Sequence, residues 1–163
     1  GMDGYEFRLS KATISPVDGT SGDESISGTI DVKDNKIELN KNYSGNYDKY
    51  AIKKISDKKY ELKGKNSTVI LEKLHIYLYK IAVKLNNQKK YEAAKILSSN
   101  LIPMSDDDES SANAYFQLAY AEGNLGNYEE CIKWYKLSLN HRPGDKVTIK
   151  NLKWAEEQLK KAK

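Results

Sequence analysis

Residues 115–143 read Tyr-Phe-Gln-Leu-Ala-Tyr-Ala-Glu-Gly-Asn-Leu-Gly-Asn-Tyr-Glu-Glu-Cys-Ile-Lys-Trp-Tyr-Lys-Leu-Ser-Leu-Asn-His-Arg-Pro. With Ala114 before it, Tyr115, Leu118 and Ala119 recur at intervals of three or four, and Glu122 continues that stripe. Tyr128, Cys131, Ile132, Tyr135 and Leu139 form a second stripe. A period of 3.6 predicts two helices, each with one apolar face. Leu125-Gly126 breaks the first and Pro143-Gly144 stops the second, because Gly accepts the left-handed backbone that ends a helix and Pro cannot continue one. The stretch is therefore a helix–turn–helix pair.

The same period extends in both directions. Downstream, Asp145 is placed to cap a last helix carrying Ile149, Leu152 and Leu159, which ends among lysines suited to the negative end of the helix dipole. Upstream, Leu74, Leu78, Ile81, Ala82 and Leu85 make one stripe, and Tyr91, Ala94, Ile96, Leu97 and Leu101 make another. The segment Pro103–Ser110 reads as a loop, with Ser110 or Ser111 as the cap of the helix that follows. Its acidic run Asp106-Asp107-Asp108-Glu109 lacks the spacing and glycine of a calcium loop and suits a positive helix N-terminus.

The stripes repeat. Tyr91-Glu92-Ala93-Ala94 returns as Tyr128-Glu129-Glu130-Cys131, each after a short polar turn and each opening the second helix of a pair. Tyr115, Leu118, Ala119, Gly126, Tyr128, Cys131, Tyr135, Ser138 and Pro143 together resemble a tetratricopeptide repeat. Glu122 stands where that family usually has Tyr, and Cys131 where it has Ala. The segment from His75 to about Asp106 resembles a degenerate copy, with Ser98 in place of the aromatic, the closing Pro shifted to Pro103 and a few residues inserted. The resemblance covers residues 74–163 and implies two repeats and a capping helix. It also implies a concave groove lined by the first helix of each pair. Carried over position by position, the groove consists of Ile76, Tyr79 and Val83, then Asn113, Phe116, Gln117, Tyr120 and Asn124, then Val147, Lys150, Asn151 and Trp154. Tyr79, Phe116, Tyr120 and Trp154 would form an aromatic strip facing solvent, of the kind that recognises a partner segment. Tyr79, Val83 and Gln117 stand at positions where chaperone-tail binders of the family carry Lys, Asn and Arg, which argues against that role here.

Residues 4–72 have a different rhythm. Tyr5, Phe7 and Leu9 alternate, as do Ile26, Gly28, Ile30 and Val32, then Ile37 and Leu39, Tyr50 and Ile52, Tyr60 and Leu62, Val69 and Leu71. Period-2 alternation predicts five or six short antiparallel strands forming a small meander or curled sheet. Polar loops are expected at 15–24 and 42–48, a two-residue turn at Asp34-Asn35, and further turns at 56–58 and 64–66. The fold class is thus α+β, with a β-rich domain at 1–72 and a helical domain at 73–163.

Composition excludes more than it identifies. The chain has 163 residues, a net charge of +4 and 39% hydrophobic residues, enough for a core without staples. No apolar run is long enough to span a membrane. The single cysteine excludes an internal disulfide and disfavours a thiolate metal site. Arg8 and Arg142 are the only arginines, so nucleic acid is not an expected partner. His75 and His141 belong to different repeats and read as surface or packing residues, and Cys131 as a packing thiol. No catalytic, cofactor-binding or metal-binding residue is proposed. Gly1 before Met2 reads as a remnant of tag cleavage. With Met2 as the native start an intracellular protein is expected, and with a trimmed export signal an extracytoplasmic one. The expectation is a non-enzymatic interaction module that holds a protein or peptide partner in its aromatic groove. The alternative is a small-molecule-binding or hydrolase-associated β-rich domain for which the repeats are a scaffold.

Overall fold

A computed structural model describes the backbone of residues 4–16, 22–43, 46–56, 59–63, 68–72 and 74–163, and the side chains of Tyr5, residues 29–38 and residues 75–163. The architecture is α+β. Six strands come first: β1 (Gly4–Pro16), β2 (Gly22–Asp31), β3 (Lys36–Tyr43), β4 (Asn46–Ser56), β5 (Lys59–Lys63) and β6 (Thr68–Glu72). Five helices follow: α1 (Leu74–Asn87), α2 (Tyr91–Leu101), α3 (Asp108–Asn124), α4 (Tyr128–His141) and α5 (Lys146–Ala162), with a 3-10 turn at Ile102–Met104 after α2. The chain divides into two compact units, residues 1–77 and 78–163.

Each strand pairs antiparallel with the next, and β1 closes on β6, so the curled sheet is a closed barrel with no free edge. The register explains the alternation in the sequence. Tyr5 stands opposite Ile30 and Ile30 opposite Ile37, while Phe7, Gly28, Leu39 and Tyr50 oppose one another in turn. Farther round, Ile52 opposes Leu62 and Leu62 opposes Val69, and Tyr60 opposes Leu71, which opposes Ile14. Directly opposed positions share a face, so the apolar positions fall in line from strand to strand, and Ile30 among them is fully buried. The odd-numbered series of β1 meets the even-numbered Ala12 and Ile14 across a register shift between Leu9 and Ala12. A bulge adds one residue and restores the common face. A barrel of six strands is narrower than the eight-stranded ones whose interiors side chains just fill.

The loops differ from the sequence reading in three places. The turn at Asp34-Asn35 is a four-residue loop, Val32–Asn35, closed by the pair Asp31 and Lys36. It takes that form because the Asp31 carboxylate accepts from the backbone N–H of Lys33 (3.0 Å) and Asp34 (3.1 Å), and Asn35 adopts φ +56°. Val32 therefore lies in the loop and not in β2. The polar stretch 42–48 is strand on both sides, with Tyr43 paired to Asn46, so composition misled where pairing was available. Strand β1 reaches Pro16 and β2 begins at Gly22, which shortens the first loop. The turn at 64–66 and most of that at 56–58 lie outside the described residues.

In the helical unit, small residues occupy the crossings. Ala82, Ala94, Ala119, Cys131 and Ala155 have no exposed surface, which lets helix axes approach closely. Leu78, Leu97, Leu101 and Tyr135 fill the space between them, each contributing roughly 1.5–3 kcal/mol by burial. Helices α3 and α4 meet closely at Gly123: a Cβ there would lie 2.8 Å from Cys131 Sγ and 3.0 Å from the Trp154 ring. Ser138 Oγ adds a hydrogen bond to the Ala112 carbonyl, 2.9 Å away. The turns follow the glycines, with Gly126 at φ +85° and Gly144 at φ +79°. The cap of α3 is neither Ser110 nor Ser111. Asp107 is extended, and its Oδ1 accepts from the Ser110 N–H at 2.6 Å, which brings Asp108 and Glu109 into the first turn. Asp145 caps α5 as its position implied, accepting from the Thr148 N–H at 3.0 Å and from the Thr148 hydroxyl.

Two outcomes follow from these contacts. Gly123→Ala should destabilise the helical unit by about 1–3 kcal/mol, and adding Cys131→Ala should recover part of that loss, measured as a coupling energy in urea unfolding. Asp145→Ala should cost about 1 kcal/mol. The Thr148 hydrogen bonds hold the Asp145 carboxyl below its usual range. Its contribution is therefore present above the ordinary carboxylate pKa and is lost as pH falls through the lowered value, so the gap between wild type and variant should close in acid.

Candidate partner-binding surface

The groove residues arise from α1, α3 and α5, the first members of the helical pairs and the final helix. Within the helical unit the repeat holds in space as well as in sequence. Tyr91, which opens α2, sets its ring against Tyr120 of α3 with centroids 6.4 Å apart. Tyr128, which opens α4, sets its ring edge-on against Trp154 of α5 at 6.0 Å. In each case the tyrosine that starts a second helix leans on the aromatic of the next first helix. Ala82 and Ala119, Ala94 and Cys131, and Ser98 and Tyr135 likewise occupy equivalent buried positions.

Phe116 and Tyr120 stack at 6.5 Å, and Phe116 meets Tyr135 edge-on at 5.5 Å, so both are half-buried. Trp154 stands with Tyr128 and Gly123 and keeps 42% of its surface exposed. Tyr79 and Val83 are half-buried on α1, and Ile76 and Val147 are exposed.

The amides have structural partners. Gln117 is buried, and Asn86 Nδ2 donates to its Oε1 at 2.8 Å and to its carbonyl at 3.1 Å. Asn113 Oδ1 accepts from Arg142 at 2.7 Å, which ties the end of α4 to the start of α3. Asn151 Nδ2 donates to the Tyr135 hydroxyl at 3.2 Å, and Asn124 Nδ2 to the Tyr120 carbonyl at 2.8 Å. Of the polar residues assigned to the groove from sequence, only Lys150 is left with its charged head exposed and unpaired among the described residues. Gln117 in particular is part of the α1–α3 seam and not a groove contact.

Glu122 is buried, and Lys95 Nζ of α2 approaches it at 3.2 Å. This pair forms part of the wall of a cavity of about 600 Å³ bounded also by Leu118, Tyr128 and Trp134. Cys131 is fully buried; desolvation, with the nearby Glu122 charge adding to it, pushes its thiol up to about 12, so it remains protonated at neutral pH. Burial also raises the Tyr135 hydroxyl, despite its bond to Asn151. His141 Nδ1 lies 2.9 Å from Asp108 Oδ1, and its ring stacks on Tyr115, which stacks in turn on Trp134, each at 5.8 Å. That ring stack was not anticipated, although Trp134 and His141 stand two helical turns apart. No group of three His, Cys, Asp or Glu side chains among the described residues could hold a metal ion. No described helix is long and apolar enough to cross a membrane. The chain matches no family model, no curated protein and no solved structure.

Asn86 Oδ1 has no hydrogen-bond partner, which makes the Asn86–Gln117 pair a sensitive test of a structural role. Asn86→Ala should cost about 1–3 kcal/mol by stranding the Gln117 amide, whereas replacing both residues by Leu should cost clearly less, as read from urea midpoints.

Proposed function

We propose that the helical array is a tetratricopeptide-like, non-enzymatic docking module that holds a peptide or helix of a protein partner against the face of its first helices. The observation that carries this reading is where the exposed apolar surface lies. Among the described residues of the helical unit, the large hydrophobic side chains left exposed are Val147 at 57% and Trp154 at 42%. Both stand on α5 at positions that the repeat resemblance assigns to the groove. Isolated exposed hydrophobics are ordinary, but their concentration on one set of helical positions marks an interaction surface.

The recurrence of the Tyr91–Tyr120 and Tyr128–Trp154 contacts supports the repeat reading. Helical hairpins of this type bury their faces only by stacking, and the curve that results displays the first helices to a partner. With the amides used internally, recognition would rest on the rings of Tyr79, Phe116, Tyr120 and Trp154, on the aliphatic Val83 and Val147, and on the charge of Lys150. Such a surface selects by shape and apolar contact more than by hydrogen bonding.

A photo-crosslinking residue at Val83 or Val147 should capture a protein partner in cells expressing the tagged chain, and one at the exposed Lys136 of α4 should not. Equal capture from the groove and from Lys136 would refute the groove reading.

A further inference from the structure

Glu122 stands against the electrostatics of its own helix. It lies in the last turn of α3, at the negative end of the helix dipole, where a carboxylate is disfavoured. It is also only 4% exposed, so water does little to offset its charge. Its cation is Lys95 of α2, whose Nζ meets one of its oxygens, Oε1, at 3.2 Å. The pair belongs to the wall of the cavity of about 600 Å³, which is built by residues of four helices: α2, α3, the start of α4 and the end of α5. That volume falls in the range of roughly 300–1,000 Å³ typical of small-ligand sites. Glu129 and Glu130 line the same cavity. Their place in the first turn of α4 suits the dipole of that helix, yet it also adds negative charge to a concavity that already contains Glu122. Three carboxylates against the one ammonium of Lys95 leave the wall with excess negative charge. Leu118 and Leu159 supply apolar surface beside them.

We propose that this cavity takes the arginine side chain of a partner's peptide segment, with its guanidinium on the carboxylates and its methylene stem on Leu118 and Leu159. Lys95 already displays half of that chemistry, an ammonium on an aliphatic stem brought to Glu122. The carboxylates do not form a group able to hold a metal ion. A guanidinium is larger, presents five N–H donors in one plane and can bridge acceptors that stand apart. It also keeps its charge away from water, where an ammonium gives up its proton more readily. Glu122 offers a fixed, desolvated acceptor, and the exposed Glu129 and Glu130 can turn to the same head group. The inference goes beyond the groove of the first helices. None of the residues lining the cavity is a groove position, so the two readings stand or fall separately.

The test titrates the isotope-labelled full chain with N-acetyl-argininamide and with its neutral isostere N-acetyl-citrullinamide, read by backbone amide chemical shifts. The arginine probe should move the amides around Lys95, Glu122 and Glu129 in a saturable way, and the citrulline probe should leave them in place. The double variant Glu129→Gln/Glu130→Gln removes two exposed charges and keeps the Lys95–Glu122 pair, so the fold is retained. It should weaken the arginine probe at least about tenfold. Butylguanidinium carries the same head and stem without peptide groups, and it should bind no more tightly than the arginine probe. Equal shifts from the arginine and citrulline probes, no shift at these amides, or equal affinity for the double variant would overturn the proposal. So would butylguanidinium binding at least about tenfold tighter than the arginine probe, because the cavity would then belong to a free small guanidine. A failed titration leaves the Val83 and Val147 crosslinks as an independent reading of the groove, and loss of those crosslinks with the titration intact would refute the groove alone.

Discussion

The helical unit depends on how closely α3 and α4 approach. Gly123 has no side chain because Cys131 Sγ and the Trp154 ring already occupy the space a Cβ would need. That single vacancy brings two helices into contact and lets a third rest on both. Cys131 is small enough to fit the seam and too buried to ionise. The same arrangement holds the Trp154 ring in place, so the exposed part of the indole is presented by a rigid support. Preorganisation of this kind reduces what binding would otherwise lose in side-chain freedom.

Much of the helical half was legible because its signals are local. Gly126, Gly144 and Asp145 each act within a turn of their own position, and the Tyr91 and Tyr128 motifs announced a repeat that reappears as matching ring contacts. Where two local rules compete, the sequence alone does not rank them. Ser110, Ser111 and Asp107 are all acceptable caps for α3, and the choice fell to the residue whose extended backbone aimed a carboxylate at an amide. In the strands, alternation located the apolar positions but not the loops. Asn and Asp fit a turn and a strand end equally well in composition, and the pairing of Tyr43 with Asn46 is a property of two strands at once.

The candidate surface was legible in its aromatics and opaque in its amides. Sequence position placed Asn113, Gln117, Asn124 and Asn151 on the inner helices, where a partner's backbone could meet them. Each is instead engaged by a residue or carbonyl of this chain: Arg142, Asn86, the Tyr120 carbonyl and the Tyr135 hydroxyl. Three of those partners lie 16 or more residues away, beyond the reach of any local pattern. Glu122 is similar: a buried carboxylate becomes intelligible only when Lys95 arrives from α2.

The bulge in β1 has a different kind of consequence. Ile14 pairs with Gly22 on one side and with Leu71 on the other, so one strand both continues the meander and shuts the barrel. Its ability to do both depends on the number of residues between Leu9 and Ala12 more than on their identity. A single-codon insertion or deletion there would move every later position of the strand to the opposite face of the wall.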